Sequence, residues 1–255
     1  MRRIRVIPVI LIDNGRAVIT RQFGNSVYVG DPINAIKIFN DKEVDELIIL
    51  DITSKSKRQE PDFELIGKLA SESFMPIAYG GHIMHIGQAE RIISSGVEKI
   101  SFNTSLFNMP ETVQEVSRRY GKQSVVASID ITRTMFGKLK IKTENSRKSV
   151  DLSIKECVNK LTGLGVGEIF LTSIDQDGMM KGYQYHVISE FKELINVPII
   201  ASGGAGSIDD FRKAIDAGAS AVAAGAMFYF KGSFNSVLIN YPDQKVLTEK
   251  LYNRI

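Results

Sequence analysis

Apolar and polar positions follow one another along this chain in a regular order. A short apolar run is followed by a polar or glycine-containing break, then by a longer stretch with apolar residues three or four apart. The short runs fall at residues 5–12, 46–51, 75–79, 99–102, 124–130, 168–172, 198–202 and 221–224. Such near-continuous runs fit strands covered on both faces, as in a parallel sheet. The segments near 152–164 and 209–217 carry helical spacing. Helix starts are marked by Asp31-Pro32, Pro61-Asp62 and Asn108-Met109-Pro110-Glu111, and Gly121 marks a stop. Eight strands alternating with helices predict an α/β fold of parallel βα units.

The second half of the chain echoes the first. The run ELIILDIT from Glu46 matches EIFLTSID from Glu168, an offset of 168 − 46 = 122, and the same offset carries Pro76 to Pro198 and Gly96 to Gly218. It also carries Gly81 to Gly203 and Asn103 to Gly225. A constant spacing through successive units predicts a duplicated half-barrel. The fold expected over residues 1–255 is therefore a single (β/α)8 TIM barrel, for which about 250 residues is typical. Function in such a barrel belongs at the carboxyl ends of the strands. There the stretch VPIIASGGAGS, Val197 to Ser207, reads as a buried strand, a glycine turn that exposes backbone N–H groups, and a helix start suited to phosphate. Duplication then predicts two phosphate cups, one from Gly80 and Gly81 with Asn103 and Thr104, the other from Gly203 and Gly204 with Gly225 and Ala226. The expected ligand is long and phosphorylated at both ends.

Composition narrows the class. Lysine plus arginine number 32 against 29 acids, giving +3, too mild a charge to argue for nucleic acid. The basic clusters Lys55 to Arg58 and Arg147 to Lys148 read as solvated loops. A single Cys157 excludes a disulfide framework and a cysteine zinc site, and suits a reducing cytoplasm. His85 and His186 lack metal-ligand spacing, so neither metal nor cofactor is expected. A leader and an apolar run of about 18 residues are both missing, so neither secretion nor a membrane is expected.

The runs LILDITS with Asp51, the IDI ending at Asp130, LTSIDQDG through Asp177, and IIASGGAG together resemble the cyclase subunit of imidazole glycerol phosphate synthase, the HisF family, over nearly the whole chain. That resemblance implies a barrel that receives ammonia from a HisH-like glutaminase and uses it on a bisphosphorylated ribulosyl intermediate. It implies that Asp130 is a catalytic carboxylate and that Asp177 contacts substrate, with Asp175 the alternative structural member of its loop. It adds His82, Thr172 and Ser202 to the substrate-binding set. At the opposite end it implies that Arg5, Glu46, Lys99 and Glu168 form the charged ring gating the ammonia path, with Glu98 facing the glutaminase. A salt-bridged plug is the other reading of those four.

Three departures cluster at the reacting end. Leu11 stands where the family has its second catalytic aspartate, Ile19 where it has a lysine, and His82 where the first phosphate loop has a third glycine. A leucine cannot move a proton, so two-carboxylate chemistry cannot run as in the family; Asp13, two residues on, is the available substitute. His82 reads either as a residue tolerating a left-handed backbone or as a donor toward an altered substrate. The run YVGDPINAIKIFNDKEVDELIILDI and the missing aspartate resemble the second-copy HisF paralogues of surface-polysaccharide biosynthesis, which make acetamidino sugars. Three activities fit: ammonia use on a modified sugar, the histidine-pathway cyclase with rearranged acid/base groups, and a silent channel that activates a glutaminase. The polar loop 131–149 is long enough for a hairpin or a lid.

Overall fold

The computed structural model describes residues 4–254 apart from 55, 57, 58 and 232–235. Eight parallel strands close on themselves: β1 (Arg5–Asp13), β2 (Leu47–Asp51), β3 (Ile77–Gly80), β4 (Lys99–Phe102), β5 (Val125–Arg133), β6 (Glu168–Ser173), β7 (Ile199–Ser202) and β8 (Ala221–Ala224). Each pairs with its sequence neighbour, and β8 returns to pair with β1. Helices α1 (Pro32–Asp41), α2 (Phe63–Glu72), α3 (Ile86–Ser94), α4 (Pro110–Tyr120), α5 (Ile154–Leu164), α6 (Tyr185–Leu194), α7 (Ile208–Asp216) and α8 (Gln244–Lys250) follow the strands in turn. This is the (β/α)8 barrel the alternation predicts.

The strand sequences are nearly all apolar because both faces are covered. One face packs inside the barrel through Ile7, Val9, Ile48, Val126, Phe170 and Ile200. The other meets the helices, where Ile10, Ile49, Ile100, Ile129 and Leu171 pack with Ile36, Phe39, Ile66, Ile92, Leu161, Phe191 and Phe211. Helix starts are chemically marked. Asp31, Asp62, Ser153 and Ser207 each accept a backbone N–H of the first turn, and such caps contribute about 1 kcal/mol apiece. Ser153 also explains why α5 begins at Ile154 and not at residue 152. Strands expected from 75 and 198 begin later, after Pro76 and Pro198. Proline has no N–H to pair, so these two serve only as acceptors, from Leu47 and Ile169.

The duplication is legible element by element. A shift of 122 residues lays β3 on β7, β4 on β8, α2 on α6 and α3 on α7, with matching ends. Each half also carries an antiparallel extension beyond its first strand. In the first half β1 pairs with Arg16–Ile19, which pairs with Val27–Gly30. In the second, β5 pairs with Leu139–Thr143, which pairs with Lys148–Val150. The loop 131–149 is therefore a hairpin. Of the basic cluster at 55–58, Lys55, Lys57 and Arg58 lie outside the described residues. Among those described, no helix is long and apolar enough to cross a membrane.

Candidate active site

Side chains alternate along a strand, so each barrel strand sends every second residue inward. On β6 the inward series runs Glu168, Phe170, Thr172; on β5 it runs Val126, Ser128, Asp130; on β1 it runs Arg5, Ile7, Val9, Leu11, Asp13. The interior is thus charged at the amino end, apolar in the middle and polar at the carboxyl end.

At the amino end the four charges form an unbroken cycle. Arg5 is ion-paired to both Glu46 and Glu168, and Lys99 Nζ lies 2.8 Å from an oxygen of each. Both glutamates have side chains 11 % exposed or less. Burial pulls Arg5 down and Glu168 up, yet their partners outweigh it. Arg5 ends raised and Glu168 lowered, so both stay charged. Glu98, next to Lys99, is exposed on that face.

At the carboxyl end a cavity of about 570 Å³ opens between the strand tips. Asp130 and Asp177 both line it. Burial first, and then the charge of Asp177, push Asp130 up to about 7, against the hydrogen bond from Asn103. Burial likewise raises Asp177 to about 6, while hydrogen bonds from Thr20 and the Phe23 backbone pull it back. Two carboxyl groups are therefore poised near neutrality, where a group can both take and return a proton. Asp175 does something else. Its carboxylate accepts from Thr132 Oγ1 at 2.6 Å and from the Arg133 backbone N–H at 2.8 Å, tying the β6 loop to the extension of β5.

Leu11 occupies the position of Asp130 in the other half-barrel. On β1 Leu11 pairs with Leu50, and on β5 Asp130 pairs with Thr172, the residue 122 beyond Leu50. Leu11 and Ile19 both line the cavity, making that side apolar. Asp13 lines it too, but its carboxylate accepts from Asn14 Nδ2 at 2.7 Å and from Ser26 Oγ at 3.2 Å near the rim.

The glycine turns lie where the two cups are expected, with Gly80 and Gly81 beside Asn103 and Thr104, and Ser202, Gly203 and Gly204 beside Gly225 and Ala226. At Gly203, φ is +82° and a Cβ would stand 2.5 Å from the Ser173 carbonyl, so backbone alone fits there. Asn103 lines its cup with its amide nitrogen already committed. Its Nδ2 donates at 3.0 Å to the Ser128 carbonyl and at 3.0 Å to Asp130 Oδ2, which makes it a support for the carboxylate. Thr104 Oγ1 accepts from the Glu144 N–H at 3.3 Å, so the hairpin reaches the first cup. His82 has φ +59° and lines the cavity.

The remaining histidines do not line the cavity. His85 occupies the N-cap position of α3, and exposed His186 meets Arg133. Arg147 is exposed, as expected of a solvated loop, and the hairpin also carries it to the cavity rim with Glu144 and Asn145. Asn145 Nδ2 donates to the Ile52 carbonyl at 3.1 Å, pinning the hairpin across the mouth. Sequence reading misses Thr20, Glu144, Asn145 and Arg147, since their placement depends on contacts far along the chain. The only local sign for Thr20 is its position beside Ile19. Among the described residues no cluster of His, Cys, Asp and Glu could hold a metal ion.

A closed barrel with an ion-paired floor and two raised carboxyls in its carboxyl-end cavity defines a TIM-barrel enzyme. Residues 5–234 match the histidine biosynthesis protein family, and the chain belongs to that family. Within it the chain is of the HisF type, the imidazole glycerol phosphate synthase subunits. It is 45 % identical over 247 residues to a provisionally named subunit hisF3 of that synthase from Vibrio vulnificus, covering 95 % of this chain and 94 % of that one. It is 46 % identical over 244 residues to a provisionally named subunit hisF2 from Pseudomonas aeruginosa, covering 95 % and 97 %. Against the synthase subunit HisF of Streptomyces avermitilis identity is 37 % over 227 residues, covering 89 % and 90 %.

Proposed function

We propose that this chain is an ammonia-using HisF-type synthase subunit whose acceptor is a modified sugar, in the acetamidino modification of a surface polysaccharide, with ammonia supplied by a HisH-like glutaminase on the amino face of the barrel. The observation that carries this is the pairing of an intact four-residue ion cycle on the floor with Leu11 in the place of a carboxylate at the mouth. A conduit is worth keeping only if nitrogen is still used above it, and a lost proton carrier means that what receives the nitrogen differs. The higher identity to the numbered paralogues, 45 % and 46 % against 37 %, supports the same division.

In this reading neutral ammonia passes the floor, crosses the apolar layer of Ile7, Ile48, Val126 and Phe170, and meets the acceptor beneath the mouth. An apolar layer suits an uncharged molecule and rejects ammonium, whose desolvation is costly. Ammonia adds to an electrophilic carbonyl carbon, and Asp130 carries two protons in turn from the nitrogen to the oxygen, which leaves as water as the C=N bond forms. Asn103 holds Asp130 in place, and Thr20 holds Asp177 toward the acceptor.

Mixing the chain with a HisH-like glutaminase and following glutamine hydrolysis tests delivery; no complex and no stimulation would leave the cycle a plug. Rescue of a histidine auxotroph lacking its cyclase subunit tests the acceptor. Robust rescue would return the chain to the histidine-pathway cyclase, the reading favoured by family membership and by Asp13 in the cavity. A chain whose Asp130 is dispensable for all turnover would be a silent channel and activator.

A further inference from the structure

Duplication makes the two cups comparable residue by residue, and they are not equivalent. The shift of 122 residues that superposes β3 on β7 places His82 on Gly204 and Asp51 on Ser173. At Gly204 φ is +117°, and a Cβ would stand 2.2 Å from the Gly182 carbonyl, so the second cup excludes any side chain there. At position 82 the backbone is also left-handed, yet it carries a full imidazole. That ring is 5 % exposed, with Nε2 3.8 Å from Oδ1 of Asp51, whose side chain is 2 % exposed. Asp51 Oδ1 also accepts the Thr53 N–H at 2.9 Å, which fixes its orientation. Both His82 and Asp51 line the cavity. The second cup, from Ser202 to Ala205 with Gly225 and Ala226, has no ionisable side chain.

We infer that the ligand is asymmetric, with a phosphate seated in the second cup and a hydroxyl-bearing sugar end in the first, read by the His82–Asp51 pair. A backbone cup suits a phosphate because its N–H groups donate and nothing in it repels. A histidine–carboxylate pair has no net charge with the ring protonated and is negative with it neutral, so in neither state does it favour a dianion. It does match a hydroxyl, which donates to the carboxylate and accepts from the ring N–H. The imidazole also takes up space that a glycine leaves to a phosphate. Leu11 and Ile19 make the adjoining wall of the cavity apolar. The inference rests on the acceptor site proposed above but not on ammonia delivery, and its test omits the glutaminase, so either can fail alone.

The test is a titration of 15N-labelled full-length protein with inorganic phosphate, followed at the backbone amides. Expected is a saturable shift at Gly204 and Gly225, with Gly81 and His82 unmoved. In the double variant His82→Gly with Asp51→Ser, which gives the first cup the residues found at 204 and 173 and leaves it no carboxylate, Gly81 joins them and phosphate stoichiometry rises from one to two. Glucose 6-phosphate and glucose 1,6-bisphosphate supply a second reading: their affinities agree within about threefold in the wild type, and the variant prefers the bisphosphate by about tenfold or more. His82→Asn, which also tolerates a left-handed backbone, retains a bulky side chain and behaves as wild type. Phosphate response at both wild-type cups, absence of response at Gly204, or a wild-type preference of about tenfold for the bisphosphate overturns the inference.

Discussion

Replacing Asp130 by Asn removes the most strongly perturbed acid of the mouth and should make the protein more stable at high pH while stopping its chemistry. In the folded chain the carboxyl is 8 % exposed, and burial, joined by the charge of Asp177, raises it from 3.8 to about 7. In the unfolded chain it titrates near 3.9. A raised folded-state value means that the native protein holds the proton more tightly than the unfolded one. The favourable contribution is present below pH about 4 and is lost as pH climbs toward 7. Each pKa unit corresponds to about 1.4 kcal/mol, so a shift of about 3 units costs about 4 kcal/mol above neutrality, an upper figure because the mouth admits water. The uncharged amide of D130N escapes that cost and still accepts the hydrogen bond from Asn103. The assay is urea unfolding of both proteins across pH 5 to 9. The stability difference should move in favour of D130N by about 1.4 kcal/mol per pH unit up to pH 7 and then level off. Turnover should fall by about 10²–10⁴, the ordinary yield of a positioned acid/base. A difference independent of pH, or one that favours the wild type as pH rises, would refute the claim that Asp130 is a desolvated acid.

Removing the charge of Asp177 with Asp177→Asn takes away one of the causes that raise Asp130, so the Asp130 titration followed by carboxyl NMR should move down; an unmoved titration would mean that the two carboxyls do not sense each other. Lys99→Met strands Glu46 and Glu168 with a single cation, and breaking a buried ion cycle in this way should cost about 3–5 kcal/mol, visible as a drop in Tm of roughly 10 °C. Gly204→Ala forces a Cβ to within 2.2 Å of the Gly182 carbonyl, and the expected loss of at least about 2 kcal/mol is read by thermal unfolding. Leu11→Asp restores a carboxylate opposite Asp130, and together with His82→Gly it should raise cyclase turnover of the bisphosphorylated intermediate more than either change alone, as steady-state kinetics would show.

The order of apolar and polar positions in this chain already implies the barrel. A strand covered on both faces must be apolar nearly throughout, and eight such runs separated by helical spacing leave few other architectures. The repeat of 122 residues was legible for the same reason, because Pro76 with Pro198 and Gly81 with Gly203 mark backbone positions that few other residues satisfy. Local chemistry likewise fixed the helix starts, through Asp31, Asp62, Ser153 and Ser207. The sequence names Asp130 and Leu11, but only strand register shows that they occupy equivalent places, since Leu11 pairs with Leu50 and Asp130 with Thr172.

Other features came from closure alone. Arg5, Glu46, Lys99 and Glu168 are spread over more than 160 positions and neutralise one another only because four strands meet at one floor. The two raised carboxyls, the Asn103 support beneath Asp130, and the hairpin that brings Arg147 to the rim depend in the same way on contacts between distant segments. Side-chain pattern is written locally, one residue's burial at a time. A proton affinity is set by every group within a few ångströms, and which groups those are is decided when the cylinder closes.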